Sequence, residues 1–327
     1  MNFSLNKTVA ALGLIVASTS AMAESNVSIY GRVDTSVNLQ KQNGVRTNEL
    51  GSNGSHFGFR GHEDLGNGLR VGFVLESAFN SDTGAQLEGE NFFANQSEVN
   101  LSGNFGTVRL GRFFNPSYYA VADQASLHNE DYGVTADALY QDIGLTSNRI
   151  AYTSPDMYGL TVETSLSFHE KARDEDGNPA NKDKNAYDLA ANYERGDWSL
   201  GAGYTKHGDA QQYALRATWV QDAWTVSAYH QRSQDKVEHD KQKLHINRIA
   251  VAYAMGAGEL HANYGQAHGP ASEKAKQWTL GYNYHLSKRT KLYTMYTVLD
   301  NQHGANFADL GANSNRKVLT TGIRHNF

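Results

Sequence analysis

The chain has 327 residues, 39% of them hydrophobic, and a formal net charge of −5 at pH 7; its mean hydropathy is −0.57. This composition is too polar for a membrane protein built from helices. The mild acidic balance, without a long basic run, gives no support for nucleic-acid binding. There is no cysteine, which excludes disulfides, thiolate metal sites and a cysteine nucleophile. The length allows two ordinary domains or one large β-barrel.

The N-terminus has the three parts of a secretory signal peptide. Lys7 supplies a positive charge, residues 9–17 form an apolar core, and Ala21-Met22-Ala23 matches a cleavage site flanked by small residues. The core is too short to cross a bilayer as a helix. The competing interpretation is a buried N-terminal helix. We predict a signal peptide at 1–23 and a mature barrel domain at 24–327.

From residue 26 onward, apolar and polar residues alternate with a period of two. In the first such stretch Ile29 and Val33 share one face, while Arg32 and Asp34 share the other. The pattern recurs at about sixteen places along the chain, in stretches of roughly 9 to 13 residues, and a tilted membrane strand needs about 9 to 11. The alternation therefore predicts antiparallel β-strands with one apolar and one polar face.

The connections between these strands fall into two classes that alternate along the chain. Short turns rich in Gly, Asn and Asp supply the positive φ angles of tight hairpins, and they lie at 66–68, 103–106, 154–159, 195–197, 221–223, 256–258 and 287–289. Longer polar segments lie at 40–53, 80–91, 115–146, 171–184, 233–243, 266–276 and 300–316. One connection, at 207–210, is short where a long one is due. This asymmetry is typical of outer-membrane barrels.

The number of strands decides which face meets water. Side chains fill a barrel of about eight strands, whereas about sixteen leave an aqueous channel. The apolar face must then turn outward to lipid, and aromatic residues near strand ends would form interfacial belts: Trp198, Trp224, Trp278, Tyr284 and Tyr293. The alternative is a soluble all-β sandwich or propeller, but no repeat of blade length is found. The predicted fold is an all-β, 16-stranded antiparallel transmembrane β-barrel.

The segment 115–146 departs from the strand pattern. It carries five carboxylates and no Lys or Arg: Asp123, Glu130, Asp131, Asp137 and Asp142. A loop of this length inside a compact domain is usually functional or disordered. Within it, residues 135–140 could form a short helix with Thr135 as N-cap.

Several stretches resemble the Gram-negative general porins of the neisserial and betaproteobacterial type. They are residues 27–34, 55–65, 106–112, 147–155 and the terminal Gly-Ile-Arg-His-Asn-Phe; from about 170 to 315 only the strand rhythm matches. The resemblance implies a homotrimer in the outer membrane whose third loop folds inward and narrows a passive channel. It also implies Phe327 as the assembly signal read by the barrel-assembly machinery, and contact with outer-membrane lipid and lipopolysaccharide.

Charges that face the lumen would set the selectivity of such a channel. Alternation points Arg32, Arg60, Arg109 and Arg149 to the lumen. Arg112 is out of phase, although Arg60, Arg112 and Arg149 fall on the family's wall-arginine motifs. Either a bulge at the preceding glycine re-aims Arg112, or it lies above the lipid band.

Opposite these arginines, the five carboxylates of 115–146 are expected to create a transverse field across a narrow gap. The alternative is that they solvate an exposed loop. Acidic loop and basic wall oppose each other, so the anion or cation preference stays open at this level.

Motifs for catalysis or cofactors are weak. His169-Glu170 lacks the second histidine of a metalloprotease helix, since position 173 is Arg. Residues 174–178 lack the ligand spacing of a calcium loop. We expect no enzyme activity and no cofactor, but a water-filled channel for small hydrophilic solutes and ions. A barrel enzyme or a solute-specific channel is the alternative.

Overall fold

The computed structural model describes residues 26–87, 91–123, 125–127, 133–169, 184–237 and 240–327. The predicted signal peptide, Glu130 and Asp131 lie outside these ranges. The described residues form seventeen strands, one short α-helix and two 3-10 turns.

The strands and the helix have the following bounds: β1 Asn26–Gln42, β2 Val45–Ser52, β3 His56–Gly66, β4 Leu69–Ala78, β5 Gln96–Gly103, β6 Gly106–Arg112, α1 Pro116–Val121, β7 Arg149–Thr153, β8 Leu160–Ser167, β9 Ala186–Arg195, β10 Trp198–His207, β11 Ala210–Gln221, β12 Trp224–Val237, β13 Asp240–Met255, β14 Gly258–His268, β15 Lys274–His285, β16 Thr290–Gln302 and β17 Asn315–Asn326.

One antiparallel sheet closes on itself. From β3 to β17 each strand pairs with the next, and β17 pairs with β1 from Arg32↔Asn326 to Gln42↔Arg316. On its other edge β1 pairs with β2 along residues 35–42 and with β3 along residues 26–32. Since β2 and β3 occupy one position, the seventeen strands make a barrel of sixteen positions, which confirms the predicted fold. Closure removes the unpaired edges that neither lipid nor water could satisfy.

Two of the predicted long loops are instead hairpins. β1 and β2 are joined by Asn43 and Gly44 alone, with φ angles of 48° and 89°, which are typical of a two-residue hairpin turn. Likewise, β12 and β13 pair as far as Val237↔Asp240 within the predicted loop 233–243. Polarity alone does not distinguish a polar strand pair from a loop. The short connection at 207–210 is confirmed.

The two faces of the sheet differ as the alternation predicts. Along β1, Asp34, Ser36 and Asn38 are buried, while Val33 and Val37 are exposed. The apolar face, defined by such exposed side chains, runs around the barrel, and the polar face lies opposite it. Among the described residues no helix is long and apolar enough to cross a membrane.

Four of the five predicted belt residues lie on the apolar face. Trp198, Trp224 and Tyr284 are about half exposed, and Trp278 packs against Tyr296 on that face. The fifth assignment is wrong, because Tyr293 is 2% exposed on the polar face.

The hydroxyl of Tyr293 donates to the Asp34 carboxylate at 2.6 Å and accepts from the Asn53 amide at 2.9 Å. The Arg324 guanidinium donates to the same carboxylate at 2.5 Å. This network joins β16, β17 and β1 where β2 passes into β3. A phenol with such partners is satisfied in the interior, so an aromatic near a strand end need not face the interface.

Candidate functional site

The segment 115–146 leaves the wall after β6 and returns to it at β7. Counting β2 and β3 as one, it connects the fifth and sixth barrel positions. Its helix is α1 at its start, with Pro116 in the first turn, whereas the helix predicted at 135–140 is not formed. Proline fixes the φ angle suited to a first turn, which favours a helix at this point.

Helix α1 rests on the polar face of β9, β10 and β11. The Ser117 amide and hydroxyl donate to the two carboxylate oxygens of Asp188 at 2.8 and 2.5 Å, and the Arg216 guanidinium donates to the Ala120 carbonyl at 2.8 Å.

Two glycines of β10 make this close approach possible. A Cβ on Gly201 would lie 1.9 Å from the Ala120 carbonyl oxygen, and one on Gly203 would lie 2.6 Å from the Ser117 Cβ. These distances are far below any normal contact, so residues with side chains at 201 and 203 would push α1 off the wall.

The returning part of the segment packs into an apolar cluster. Leu139 is fully buried and belongs to a group of mostly small residues contributed by α1, the segment and the polar face of β9–β16: Ala120, Val121, Ala125, Ala190, Ala214, Tyr229, Ile246, Ala267, Ala275 and Leu299. Burying a leucine side chain contributes about 1.5–3 kcal/mol. This part of the polar face is therefore a docking surface for the segment, and its charged residues Asp188, Arg216 and Arg248 contact the segment.

Two wall glutamines hold the backbone of the same stretch. Gln231 of β12 accepts from the Gln141 amide at 3.0 Å and donates to the Gln141 carbonyl at 2.7 Å. Gln277 of β15 accepts from the Ala138 amide at 3.0 Å and donates to the Ala136 carbonyl at 2.7 Å. Each side-chain amide thus satisfies one donor and one acceptor of a loop backbone that has no ladder partner.

A buried ion pair fixes the middle of this stretch. The Arg248 guanidinium lies 2.6 Å from the Asp137 carboxylate, with side-chain exposures of 0% and 9%. The Tyr229 hydroxyl donates to the second carboxylate oxygen at 2.5 Å. Removing one partner of such a pair leaves an uncompensated buried charge. Asp137 is therefore an anchor of the segment to the wall.

Residues 133–135, which precede this stretch in the chain, contact β16 and β17. Arg316 of β17 donates to the Val134 carbonyl at 3.1 Å, and the Thr135 hydroxyl contacts the Met295 sulfur at 3.9 Å. Gly133 has a φ of 93° and lies against the side chain of Asn53. The described part of the segment thus contacts the polar face from β9 to β17.

The two ends of the segment are joined next to Arg149. The Asn115 amide donates to the Asp142 carboxylate, and the Arg149 guanidinium donates to the Asn115 side-chain oxygen and the Leu145 carbonyl. Burial raises the pKa of Asp142, against the opposing effects of the hydrogen bonds from the Gly144 amide and Asn115 and of the positive charge of Arg149.

Across from this docked segment lies the polar face of β3–β8. One ladder row runs Arg60↔Val74↔Glu98↔Gly111↔Arg149, so the two wall arginines Arg60 and Arg149 lie in the same row. Arg60 is exposed, with its guanidinium 4.9 Å from the centre of the Tyr30 ring.

Arg109 lies two ladder rows from Arg149, between two carboxylates. Its guanidinium is 2.7 Å from Glu98 and 2.9 Å from Glu163. It also lies 4.0 Å from the centre of the Phe113 ring, and the Arg149 guanidinium lies 5.3 Å from the same ring. The fully buried Phe113 therefore supports both arginines where the segment begins.

The remaining predicted arginines lie apart from this group. Arg32 is on the polar face near the short-turn end, where it donates to the Asn326 side chain at 3.2 Å. Arg112 ends β6 with the phase of Leu110, and the β5–β6 register is continuous up to Ser97↔Arg112. The bulge, which was one of the two alternatives for Arg112, is therefore not formed. Arg112 instead donates to the Ala94 carbonyl and, at 2.6 Å, to the Ser147 hydroxyl at the loop end of the strand.

The described carboxylates of the segment also differ from the expected arrangement. Asp137 meets Arg248 and not an arginine of the opposite wall, because the segment lies on the β9–β17 side. Asp142 shares Asn115 with Arg149, and Asp123 is half-buried. Sequence reasoning missed Arg248, Arg216 and Asp188. The alternation of residues next to the apolar Ile249 assigns Arg248 to the polar face. It gives no information on the contact between Arg248 and Asp137.

Comparison with known proteins agrees with this architecture. The profile of the Gram-negative porin family matches residues 8–304. Outer membrane porin protein 32 of Delftia acidovorans is 30% identical over 99% of this chain and all of its own length. Major outer membrane protein P.IB of Neisseria meningitidis serogroup A is 26% identical over the same shares. The solved anion-selective porin from Comamonas acidovorans superposes with a TM-score of 0.79 at 28% identity, covering 93% of this chain and 100% of that one. The chain belongs to the Gram-negative porin family.

Proposed function

We propose that the segment 115–146 folds into the lumen of this outer-membrane porin as its constriction, and that the remaining passage favours small anions. Membership of the family makes the protein a channel for passive diffusion and not an enzyme. What needs inference is which parts of the wall narrow that channel and which charges solutes meet there.

The observation that carries the constriction is the distribution of the contacts of the segment. Apart from the two ends beside Arg149 and the contact of Gly133 with Asn53, they lie on the polar face from β9 to β17. Sixteen strand positions enclose more space than side chains fill. A segment docked along one side leaves water along the other, where Arg60, His62 and Arg70 are exposed on the polar face of β3 and β4. The proposed solute path therefore runs between the docked segment and the wall formed by β3–β8.

The anion preference rests on which charges are already paired. Asp137 is neutralised by Arg248, and the Asp142 carboxylate accepts a hydrogen bond from the Asn115 amide. Arg60, by contrast, is exposed in the row that leads to Arg149. An unpaired cation in a narrow aqueous passage attracts anions. The Comamonas acidovorans relative is described as anion-selective, which supports the same direction for this chain.

The test is the reversal potential of single channels in a planar bilayer under a KCl gradient. Arg60→Gln should shift the reversal potential toward cations while the conductance steps persist. Arg195→Gln is the matched control, since Arg195 is exposed at a short turn. An unchanged reversal potential in Arg60→Gln would refute its place in the solute path. Arg149→Gln should shift the reversal potential in the same direction, with added noise from the loosened segment.

We further propose a homotrimer and an assembly role for Phe327. The terminal residue exchanges backbone hydrogen bonds with Gly31 at 3.0 and 3.2 Å, and its ring covers Gly31, where a Cβ would lie 2.5 Å from the ring. The last residue thus takes part in closing β17 onto β1. Removing Phe327 should slow folding in the presence of the barrel-assembly machinery.

The proposed homotrimer is tested by electrophoresis of a heated and an unheated sample, because the unheated trimer should migrate differently from the heated chain. A heated and an unheated sample of equal mobility would contradict the trimer.

A further inference from the structure

Three polar residues form a cluster on the polar face at the short-turn end of β14 and β15. Glu259 pairs with Asn283 in the ladder, and His261 is two residues farther along β14. His261 and Asn283 are 4% and 2% exposed, whereas the side chain of Glu259 is 32% exposed. The cluster therefore has a buried side and a side open to the lumen. None of the three residues belongs to the segment 115–146, so a site here does not rest on the proposed constriction.

Small neighbours let the imidazole of His261 reach across to β15. The ladder partners of His261 are Ala252 on β13 and Gly281 on β15. A Cβ on Gly281 would lie 3.1 Å from the Met295 Cγ and 3.7 Å from the His261 Cβ. Because position 281 has no side chain, the imidazole contacts its diagonal neighbour Asn283 at 2.7 Å.

Three polar atoms of the cluster converge on one point. The His261 Nε2 lies 2.8 Å from the Glu259 Oε1 and 2.7 Å from the Asn283 Nδ2. The Asn283 Nδ2 lies 3.4 Å from the same Glu259 oxygen. A ring nitrogen of a neutral imidazole either donates a hydrogen bond or accepts one. The His261 Nε2 therefore cannot satisfy an acceptor carboxylate and a donor amide at the same time.

Two further atoms of the cluster are buried without a hydrogen-bond partner among the described residues. They are the His261 Nδ1 and the Asn283 Oδ1. A half-turn of the Asn283 amide exchanges Oδ1 with Nδ2 and brings the carbonyl oxygen next to the His261 Nε2 and the Glu259 Oε1. The cluster then presents one nitrogen and two oxygens, all of them acceptors, to a single point. Such a set of buried acceptors is satisfied by a cation.

The spacing and the types of these atoms suit a divalent transition metal. Bonds of about 2.0–2.2 Å from zinc to nitrogen and oxygen place neighbouring ligands about 3 Å apart, which is close to the distances in the cluster. Imidazole nitrogen suits zinc, nickel and copper, whereas magnesium and calcium prefer oxygen alone. Among the described residues no three His, Cys, Asp or Glu side chains are grouped for a metal. The third ligand here is an amide, and water completes the coordination.

We propose that Glu259, His261 and Asn283 bind a divalent transition-metal cation at the lumen wall. Short turns are periplasmic in outer-membrane barrels, so the cation enters from the periplasmic side. Its two positive charges exceed the single negative charge of Glu259. The loaded site therefore adds positive charge to the wall and favours the passage of anions.

The test titrates Zn²⁺ into the detergent-solubilised full chain, freed of metal by a chelator, in an isothermal calorimeter. Zn²⁺ should bind, and Mg²⁺ should give no comparable heat. Glu259→Gln and His261→Gln should each weaken Zn²⁺ binding about tenfold or more, because the loss even of an outer-shell partner of a metal costs that much. The matched control is His303→Gln, at an exposed imidazole of the last long loop, and it should leave the affinity unchanged.

Asn283→Asp distinguishes a metal ligand from a residue that only supports the fold. The change keeps the shape of the side chain and supplies a second carboxylate, so Zn²⁺ should bind more tightly. In planar bilayers, Zn²⁺ on the short-turn side should shift the reversal potential toward anions in the unchanged protein and not in Glu259→Gln. Since Glu259 is partly exposed, this variant tests the site even where His261→Gln does not fold.

Equal affinity of the unchanged protein, Glu259→Gln and Asn283→Asp for Zn²⁺ would overturn the site. So would equal heats from Zn²⁺ and Mg²⁺. Absence of Zn²⁺ binding would also overturn it, and would assign the contact between His261 and Glu259 to a protonated imidazole. The proposed constriction would stand in each of these cases, because Arg60→Gln tests it separately.

Discussion

The polar face of the barrel has two unlike halves. The half formed by β3–β8 carries Arg60, Arg109, Glu98 and Glu163. The half formed by β9–β16 is dominated by small buried residues, among them Ala186, Ala190, Ala214, Ala250, Ala252, Ala267 and Ala275. The same alternation produces both halves. The half rich in small residues receives the segment 115–146, and its charged residues Asp188, Arg216 and Arg248 contact the segment.

The difference shows how an acidic segment is held against the polar face of a barrel. Attraction between its carboxylates and arginines across a gap would be weakened by water and salt. Instead, Leu139 is buried among apolar side chains and Asp137 is paired with a fully buried Arg248. Water and salt weaken the burial of Leu139 and the dehydrated ion pair of Asp137 with Arg248 far less. The docked half therefore anchors the segment, whereas Arg60 of the other half stays exposed.

The largest effect should follow from breaking the buried pair. Asp137→Ala leaves Arg248 buried without its carboxylate, which costs about 3–5 kcal/mol. We expect the segment to leave the wall, giving larger and noisier single-channel currents. Asp82→Asn, an exposed carboxylate in another loop, is the control. Currents identical to those of the unchanged protein would show that Asp137 does not anchor the segment.

A somewhat smaller effect is expected from the apolar cluster. Leu139→Ala removes a fully buried side chain, at a cost of about 3 kcal/mol. Hydrogen exchange should then rise in residues 133–145 and stay unchanged in the barrel strands. The control is Leu87→Ala, at a side chain that is 37% exposed. It should change hydrogen exchange neither in residues 133–145 nor in the barrel strands. A uniform rise over the whole barrel would mean that Leu139 supports the barrel and not the segment alone.

On the open half, the expected effect is on selectivity more than on stability. Glu98→Gln leaves Arg109 with Glu163 as its only carboxylate partner among the ion pairs of the described residues. The lost charge-assisted hydrogen bonds cost about 1.5–3 kcal/mol. The permeability ratio of chloride to potassium should rise. Glu163→Gln, at the more exposed partner, should raise it with less loss of stability. A fall in the ratio would contradict the proposed solute path.

The smallest effect concerns the two ends of the segment, which meet beside Arg149. Burial raises the pKa of Asp142 above its usual 3.8, so the folded segment binds this proton more tightly than the unfolded chain does. Its contribution to stability is fully present below about pH 3.8 and is lost as the pH rises through the raised pKa. Hydrogen exchange of residues 142–145, corrected for intrinsic rates, should show this trend. Asp142→Asn should abolish it, and a persisting trend would assign it to another group.

Much of the fold follows from the sequence because alternation and turn residues act locally. The barrel of sixteen positions and the location of the segment between the fifth and sixth of them were predictable in this way. Local patterns were less informative at strand ends. The polar hairpin at Asn43 and Gly44 has the composition of a loop. Tyr293 is an aromatic residue near a strand end, as a belt residue would be, but it is buried.

The sequence by itself determined that a long acidic segment interrupts a barrel whose polar face carries arginines. Only the tertiary structure decided which wall that segment meets. Asp137 and Arg248 are 111 residues apart, and their contact exists because closure of β17 onto β1 brings distant strands around one lumen. Alternation assigns each side chain to a face, but the partner across the barrel depends on curvature and register summed over all strands. That sum is a property of the closed sheet and not of any stretch of the chain.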